Sequence, residues 1–134
     1  MGITVIVLVL VLLQYSFFGI KVGMARVKYD VQAPAISGHP VFERYYRIQQ
    51  NTLEQLLVFV PLYLVFAVMA EGQGWMGSEL AAACGVLWII GRFVYASAYI
   101  DDPAKRGKGF MLSFLATVLL IIGNLAAAIM SYMG

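Results

Sequence analysis

Long apolar runs and short polar breaks alternate along the chain. From Ile3 to Ile20 only Thr4, Gln14 and Ser16 interrupt the first run, which is close to the roughly 20 residues that a helix needs to cross a bilayer core. The basic residues Lys21, Arg26 and Lys28 follow this run instead of preceding it, and no small-x-small pattern comes after. A cleaved signal is therefore not expected. A polar stretch from about Arg26 to Pro40 contains Pro34, Ser37 and Gly38 and predicts the one substantial loop. From Val41 to Gly72 the chain begins polar and turns apolar at Leu56–Ala70. This predicts one helix that starts in the aqueous interface and enters the bilayer, with a bend expected at Pro61. The Gly-rich segment 71–79 suits a tight connection. Leu80–Ile100 reads as a third span broken by a single charge, Arg92; DDPAKRGKG over 101–109 is a further polar connection, and Phe110–Met133 a fourth span. The expected fold is all-α: an integral membrane four-helix bundle of up-down topology, one domain over residues 1–134. Its spans are expected near 3–24, 42–71, 79–100 and 109–133.

Composition agrees with that pattern. The apolar set makes up 62% of the 134 residues and charged residues 12%, with a mean hydropathy of +0.85. Soluble domains sit nearer ~45–50% and ~25%. Four spans and their connections use the whole length, so no appended soluble catalytic domain is expected. One cysteine, Cys84, excludes an internal disulfide framework and a C-x-x-C pair, and one histidine, His39, excludes a His-rich metal site built by one chain. No metal is expected. Cys84 reads as a small core residue and His39, beside Pro40, as a loop residue. Nine basic and seven acidic residues give a net charge of +2, too balanced for a nucleic-acid footprint.

The positions of those charges matter more than their number. Lys21, Arg26, Lys28, Arg44 and Arg47 lie in or beside the first connection, and Arg92, Lys105, Arg106 and Lys108 in or beside the third. The second connection and both tails carry no Lys or Arg. By the positive-inside rule, loops one and three are expected to be cytoplasmic and both termini on the opposite side.

Two helix faces gather polar side chains at that basic end. Arg47, Asn51 and Glu54 are spaced i, i+4, i+7, with Arg44 one turn earlier. An amide and a carboxylate entering an apolar helix are functional-site candidates. The competing reading is that Arg44 and Arg47 snorkel to phosphates while Glu54 pairs with an Arg of a neighbouring helix. Arg92, Tyr95 and Tyr99 share a face of the third helix; taken alone they read as an aromatic belt with a snorkelling Arg. Arg106, within KRGKG, reads alone as a solvated residue. Taken together, these guanidiniums, one carboxylate, an amide and two phenols suit a small zwitterion with two carboxylates and one ammonium. Glutathione has that charge pattern, and its thiol needs a neighbouring cation to ionise near neutral pH.

The segment ERYYRIQQNTLE, residues 43–54, resembles the signature of the membrane-associated proteins in eicosanoid and glutathione metabolism, a family that includes the microsomal glutathione transferases. Its R-x-x-x-N-x-x-E core is present as Arg47, Asn51 and Glu54, its R-x-x-Y-x-x-x-Y feature as Arg92, Tyr95 and Tyr99, and its basic residue seven positions later as Arg106. The resemblance covers essentially the whole chain. It implies a homotrimer that binds glutathione as co-substrate between subunits near the cytoplasmic face, with no permanently bound cofactor. By position, Arg47, Asn51, Glu54, Tyr95 and Tyr99 would bind glutathione from one subunit, and Arg26 and Gln49 from the next; Arg106 would stabilise the thiolate, while Arg44 and Arg92 have no assigned contact. A lipophilic electrophile or lipid hydroperoxide would enter from the membrane lipids.

Two positions depart from the leukotriene C synthase pattern. Gln55 stands where that enzyme has an aromatic residue, and Val27 where it has a second arginine. The NTLE phrase is more similar to the peroxidase-capable microsomal transferases. The resemblance thus points to a glutathione-dependent transferase or peroxidase in a bacterial inner membrane, and away from leukotriene synthesis. Two other readings compete. A non-catalytic lipid-presenting protein of the same family would not need Arg106. A small multidrug transporter would need a carboxylate in its first span, and none is there.

Overall fold

The computed structural model describes residues 1–134. Four long helices follow one another: α1 Gly2–Tyr29, α2 Pro40–Gly72, α3 Gly77–Asp101 and α4 Gly107–Met133, with a single 3-10 turn over Pro103–Arg106 before α4. Each is long and apolar enough to cross a membrane. α2 and α3 pack against each other and against both remaining helices, while α1 and α4 flank them with little mutual contact. The section is a rhombus whose short diagonal joins α2 to α3.

The helices extend further than the apolar runs that predict them. α1 continues to Tyr29, so the first loop is residues 30–39 and not 26–40. Arg26 and Lys28 fall in its last turn, where cations complement the helix dipole and long stems reach water from a helical backbone. Asp30 closes the helix in the left-handed conformation at φ 53°. α2 opens with a cap: His39 Nδ1 accepts from the Val41 amide at 3.2 Å, and Pro40 takes the first helical position. His39 is thus more than a loop residue, since its ring also stacks on Tyr29 at 4.0 Å and closes the loop on itself. α2 then runs unbroken through Pro61. The expected polar connection 101–109 shrinks to Asp102 and the 3-10 turn, because Asp102 Oδ1 accepts from the Ala104 amide and Pro103 starts the turn.

The core follows the rule for helices in lipid, where close approach replaces hydrophobic drive. Ala67, Ala70, Ala81, Ala82 and Ala116 are buried between helices, around Phe59 stacked on Trp88 at 4.9 Å. Cys84 packs half-buried against this cluster, the small core residue expected. Polar groups bond across helices: the Tyr63 hydroxyl donates to Thr4 O at 2.9 Å, Gln14 Nε2 to Ile89 O at 2.9 Å and Asn124 Nδ2 to Leu62 O at 2.9 Å. Most large apolar side chains on the outer faces are exposed, as lipid contact requires.

The tightest crossing is between α3 and α4. A Cβ on Gly109 would land on the Tyr95 backbone, and one on Gly91 would meet the Ser113 amide at 2.5 Å. These two glycines bring α4 onto the α3 turn that carries Arg92 and Tyr95. Gly109→Ala should therefore destabilise the detergent-solubilised protein by about 1–3 kcal/mol through overpacking, read as a lower unfolding midpoint. Gly23→Ala, with open space around its position, is the control that should not.

Candidate functional site

Arg92 is fully buried between α2 and α3. Its Nη2 donates to Asn51 Oδ1 at 2.8 Å and to Thr52 Oγ1 at 2.9 Å. The Thr52 hydroxyl in turn donates to Ile48 O at 2.7 Å. The guanidinium carbon lies 4.1 Å from the Tyr95 ring centroid and 6.0 Å from that of Trp88, a cation–π arrangement strengthened by desolvation. Nε and Nη1 are buried with no partner in the chain. The snorkelling arginine expected of an aromatic belt is not what the fold contains: the side chain turns into the bundle, where Asn51 and Thr52 of α2 accept from it.

This contact sets the direction of Asn51. Its carbonyl oxygen is taken by Arg92, so the half of the amide left free is the two-hydrogen donor. A ligand acceptor at Asn51 would meet that free donor. On α3, Tyr95 is buried and its ring lies 5.5 Å from that of half-buried Tyr99. Arg47 stands one turn before Asn51 on α2, and Arg106 closes the 3-10 turn that leads into α4. Five of the sequence candidates, Arg47, Asn51, Tyr95, Tyr99 and Arg106, thus gather with Arg92 at one end of the bundle.

The remaining candidates divide. Arg47, Glu54 and Arg106 are exposed, and Arg106 is held only by its Nη1 donating to Pro103 O at 2.8 Å. Glu54 forms no ion pair, since the single pair in the chain joins Lys105 to Asp101; the pairing with a neighbouring Arg that the competing reading required does not occur within the subunit. Arg26 turns to its own loop, donating to Ala35 O at 2.7 Å and lying 4.8 Å over the Phe42 ring. The Gln49 amide packs beside Gly19 of α1. Neither Arg26 nor Gln49 joins the Asn51–Tyr99 group within one chain. Arg44 donates to Ile100 O at 2.7 Å and Asp101 O at 3.1 Å, capping the carbonyl end of α3 and tying it to the start of α2.

Sequence reasoning missed Thr52, which shares Arg92 with Asn51. The signal was present: Ile48, Thr52, Leu56, Phe59 and Tyr63 form the buried stripe of α2, and a hydroxyl on that stripe needs a partner.

Four membrane-length helices around a buried cation, with phenols and arginines gathered at one end, define an all-helical, multi-pass integral membrane protein. The model of the MAPEG family matches residues 4–126, and the chain belongs to that family. An uncharacterized protein of Synechocystis sp. is 40% identical over 111 residues, covering 83% of this chain and 77% of the relative. Microsomal glutathione S-transferase 2 of Homo sapiens is 39% identical over 117 residues, covering 86% and 75%. Leukotriene C4 synthase of Mus musculus is 37% identical over 117 residues, covering 87% and 73%.

A hydrogen bond to a charged group contributes about 1.5–3 kcal/mol. Thr52→Val should lower stability by about that amount while Arg92 is present, and by much less in an Arg92→Met background. Unfolding of the two single variants and the double variant, in one detergent, checks the coupling.

Proposed function

We propose that this protein is a membrane glutathione transferase, with peroxidase chemistry at the same site, that ionises the glutathione thiol and directs it at lipophilic electrophiles or lipid hydroperoxides. The observation that carries the reading is that the buried Arg92 bonds Asn51 and lies against Tyr95 at the end of the bundle that also carries Arg47, Tyr99 and Arg106, in a chain whose relatives include a microsomal glutathione S-transferase. Asn51 presents a donor to a glutathione carboxylate or carbonyl, Arg47 a guanidinium to a carboxylate, Glu54 an acceptor to the ammonium, and the two phenols bond the peptide groups. Arg106 lies beside the thiol.

The exposure of Arg47, Glu54 and Arg106 supports a homotrimer in which the next subunit covers them and supplies Arg26 and Gln49. The basic end faces the cytoplasm in a bacterial inner membrane, so that glutathione arrives from water and the electrophile from lipid. A thiol of pKa ~8.5 is only a few per cent ionised at pH 7, and a drop of two units makes it mostly thiolate. In conjugation the sulfur lone pair forms the new bond to carbon, the leaving group or displaced electron pair departs, and the thiol proton has already gone to water. With a hydroperoxide, the thiolate takes the terminal oxygen and an alcohol leaves. A second glutathione then displaces hydroxide to give the disulfide.

Arg106→Ala should leave glutathione binding largely intact, abolish the ultraviolet thiolate signal of the complex, and move the pH midpoint of conjugation up to that of a free thiol near ~8.5. An unchanged signal removes Arg106 from the thiol. The reading as a whole is tested by assaying the purified detergent-solubilised protein with glutathione against haloarenes and lipid hydroperoxides. If glutathione neither binds nor reacts, the transferase reading fails and the lipid-presenting reading gains.

A further inference from the structure

A second feature of the basic end lies outside the proposed glutathione group. Between α1, α2 and α3 there is an apolar slot of about 240 Å³, walled by Phe17, Ile48, Phe93, Ala96 and Ile100. It opens at Lys21 and Tyr45, and these two residues also line the adjoining cavity of about 230 Å³, whose other side is formed by Lys28 and Tyr29. The two spaces adjoin at Lys21 and Tyr45, and we read them as one path, apolar along Phe17–Ile100 and dibasic where Lys21 and Lys28 stand.

The chemistry of the path is asymmetric. Lys21 and Lys28 are seven residues apart on one face of α1, about 10.5 Å along the axis. Arg26, bound to the loop carbonyls, points to a different face. Both ammoniums lie over aromatic rings, Lys21 at 5.3 Å from the Phe17 centroid and Lys28 at 5.4 Å from that of Tyr29. Neither has a carboxylate partner, as the one ion pair of the chain is Lys105–Asp101. The ammoniums thus lie beside ring faces, Lys21 half-buried and Lys28 exposed, with no carboxylate to neutralise them. The Tyr45 and Tyr29 hydroxyls add donors at the same mouth.

We propose that this path is a binding site for one anionic phospholipid, with an acyl chain in the Phe17–Ile100 slot and the phosphodiester between Lys21 and Lys28. Charge complementarity selects this occupant. A zwitterionic lipid would bring its own ammonium to a mouth that already has two. A free fatty acid would satisfy one lysine and leave the other, two helical turns away, without an anion. A phosphodiester with its glycerol and ester oxygens reaches both, and basic pockets between membrane helices are the usual seat of such headgroups.

Native mass spectrometry of the full chain in detergent, titrated with phosphatidylglycerol and phosphatidylcholine of identical acyl chains, tests the site. Each lysine near an anionic headgroup contributes about five-fold in affinity, so phosphatidylglycerol adducts should exceed phosphatidylcholine adducts at least five-fold. The Lys21→Gln/Lys28→Gln protein should bind the two lipids equally. Lys105→Gln/Lys108→Gln, at the other basic connection, should keep the preference. Ser97→Trp, which fills the slot from an exposed position on α3, should lose the phosphatidylglycerol adduct with both lysines intact. Equal binding by the wild type, or a preference that survives in Lys21→Gln/Lys28→Gln, overturns the proposal. Displacement of phosphatidylglycerol by equimolar oleate overturns it too, by assigning the site to a free acid. Glutathione conjugation, measured in parallel, should be unchanged in Lys21→Gln/Lys28→Gln, which separates this site from the thiol chemistry.

Discussion

The guanidinium of Arg92 is the constraint on which the basic end of the bundle is built. A cation inside an apolar four-helix protein is tolerated only if its surroundings are organised around it, and here those surroundings come from α2 and α3 at once. Asn51 and Thr52 accept from one nitrogen, and the rings of Tyr95 and Trp88 lie against the cation. Satisfying the charge fixes the register of α2 against α3, because moving either helix by one residue separates Nη2 from both acceptors. The two glycines that admit α4 stand beside the same turn. Fold stability and site geometry are therefore one problem at this position.

From that buried contact the polar groups grade outward. Arg92 and Thr52 are fully buried; Asn51 and Tyr95 touch the buried charge, Asn51 from a half-buried position. Arg47, Glu54 and Arg106 face outward. Such an order suits recognition, since the inner members orient the outer ones: Asn51 becomes a fixed donor because Arg92 has taken its oxygen. Arg44 contributes differently, by clamping the end of α3 to the start of α2 and so holding Tyr99 and the turn that carries Arg106 close to the helix of Arg47.

The four spans were legible because each apolar run is longer than a bilayer requires. Their ends were not, because Lys and Arg stems let a helix run several residues past its apolar part, as α1 does from Ile20 to Tyr29. The polar faces were legible from spacing alone, yet spacing could not separate a snorkelling Arg92 from a buried one. That difference depends on α2, whose Asn51 and Thr52 lie some forty residues away in sequence and accept from the guanidinium. Thr52 was hidden for a related reason, since a threonine on a buried stripe looks like a spacer until the guanidinium that it serves is placed. His39 gave no sign of capping beyond its place before Pro40.

The geometry also bears on how an arginine in the position of Arg106 could act on a thiol. Lowering a pKa by two units requires about 2.7 kcal/mol of preference for the anion. Two unit charges at ~4 Å interact by only about 1 kcal/mol in water, but by about 4 kcal/mol at the effective dielectric of a partly covered protein site. Arg106 is exposed and is held by one backbone carbonyl; left in water, a guanidinium falls short of the required preference. The proposed thiol chemistry thus demands that something cover Arg106 and order it. No element of the same chain does so, whereas a neighbouring copy that brings Arg26 and Gln49 against the exposed Arg47–Glu54 face would. In the proposed homotrimer, assembly and thiol activation would then be one event, because covering Arg106 is what would raise its charge interaction to the required size.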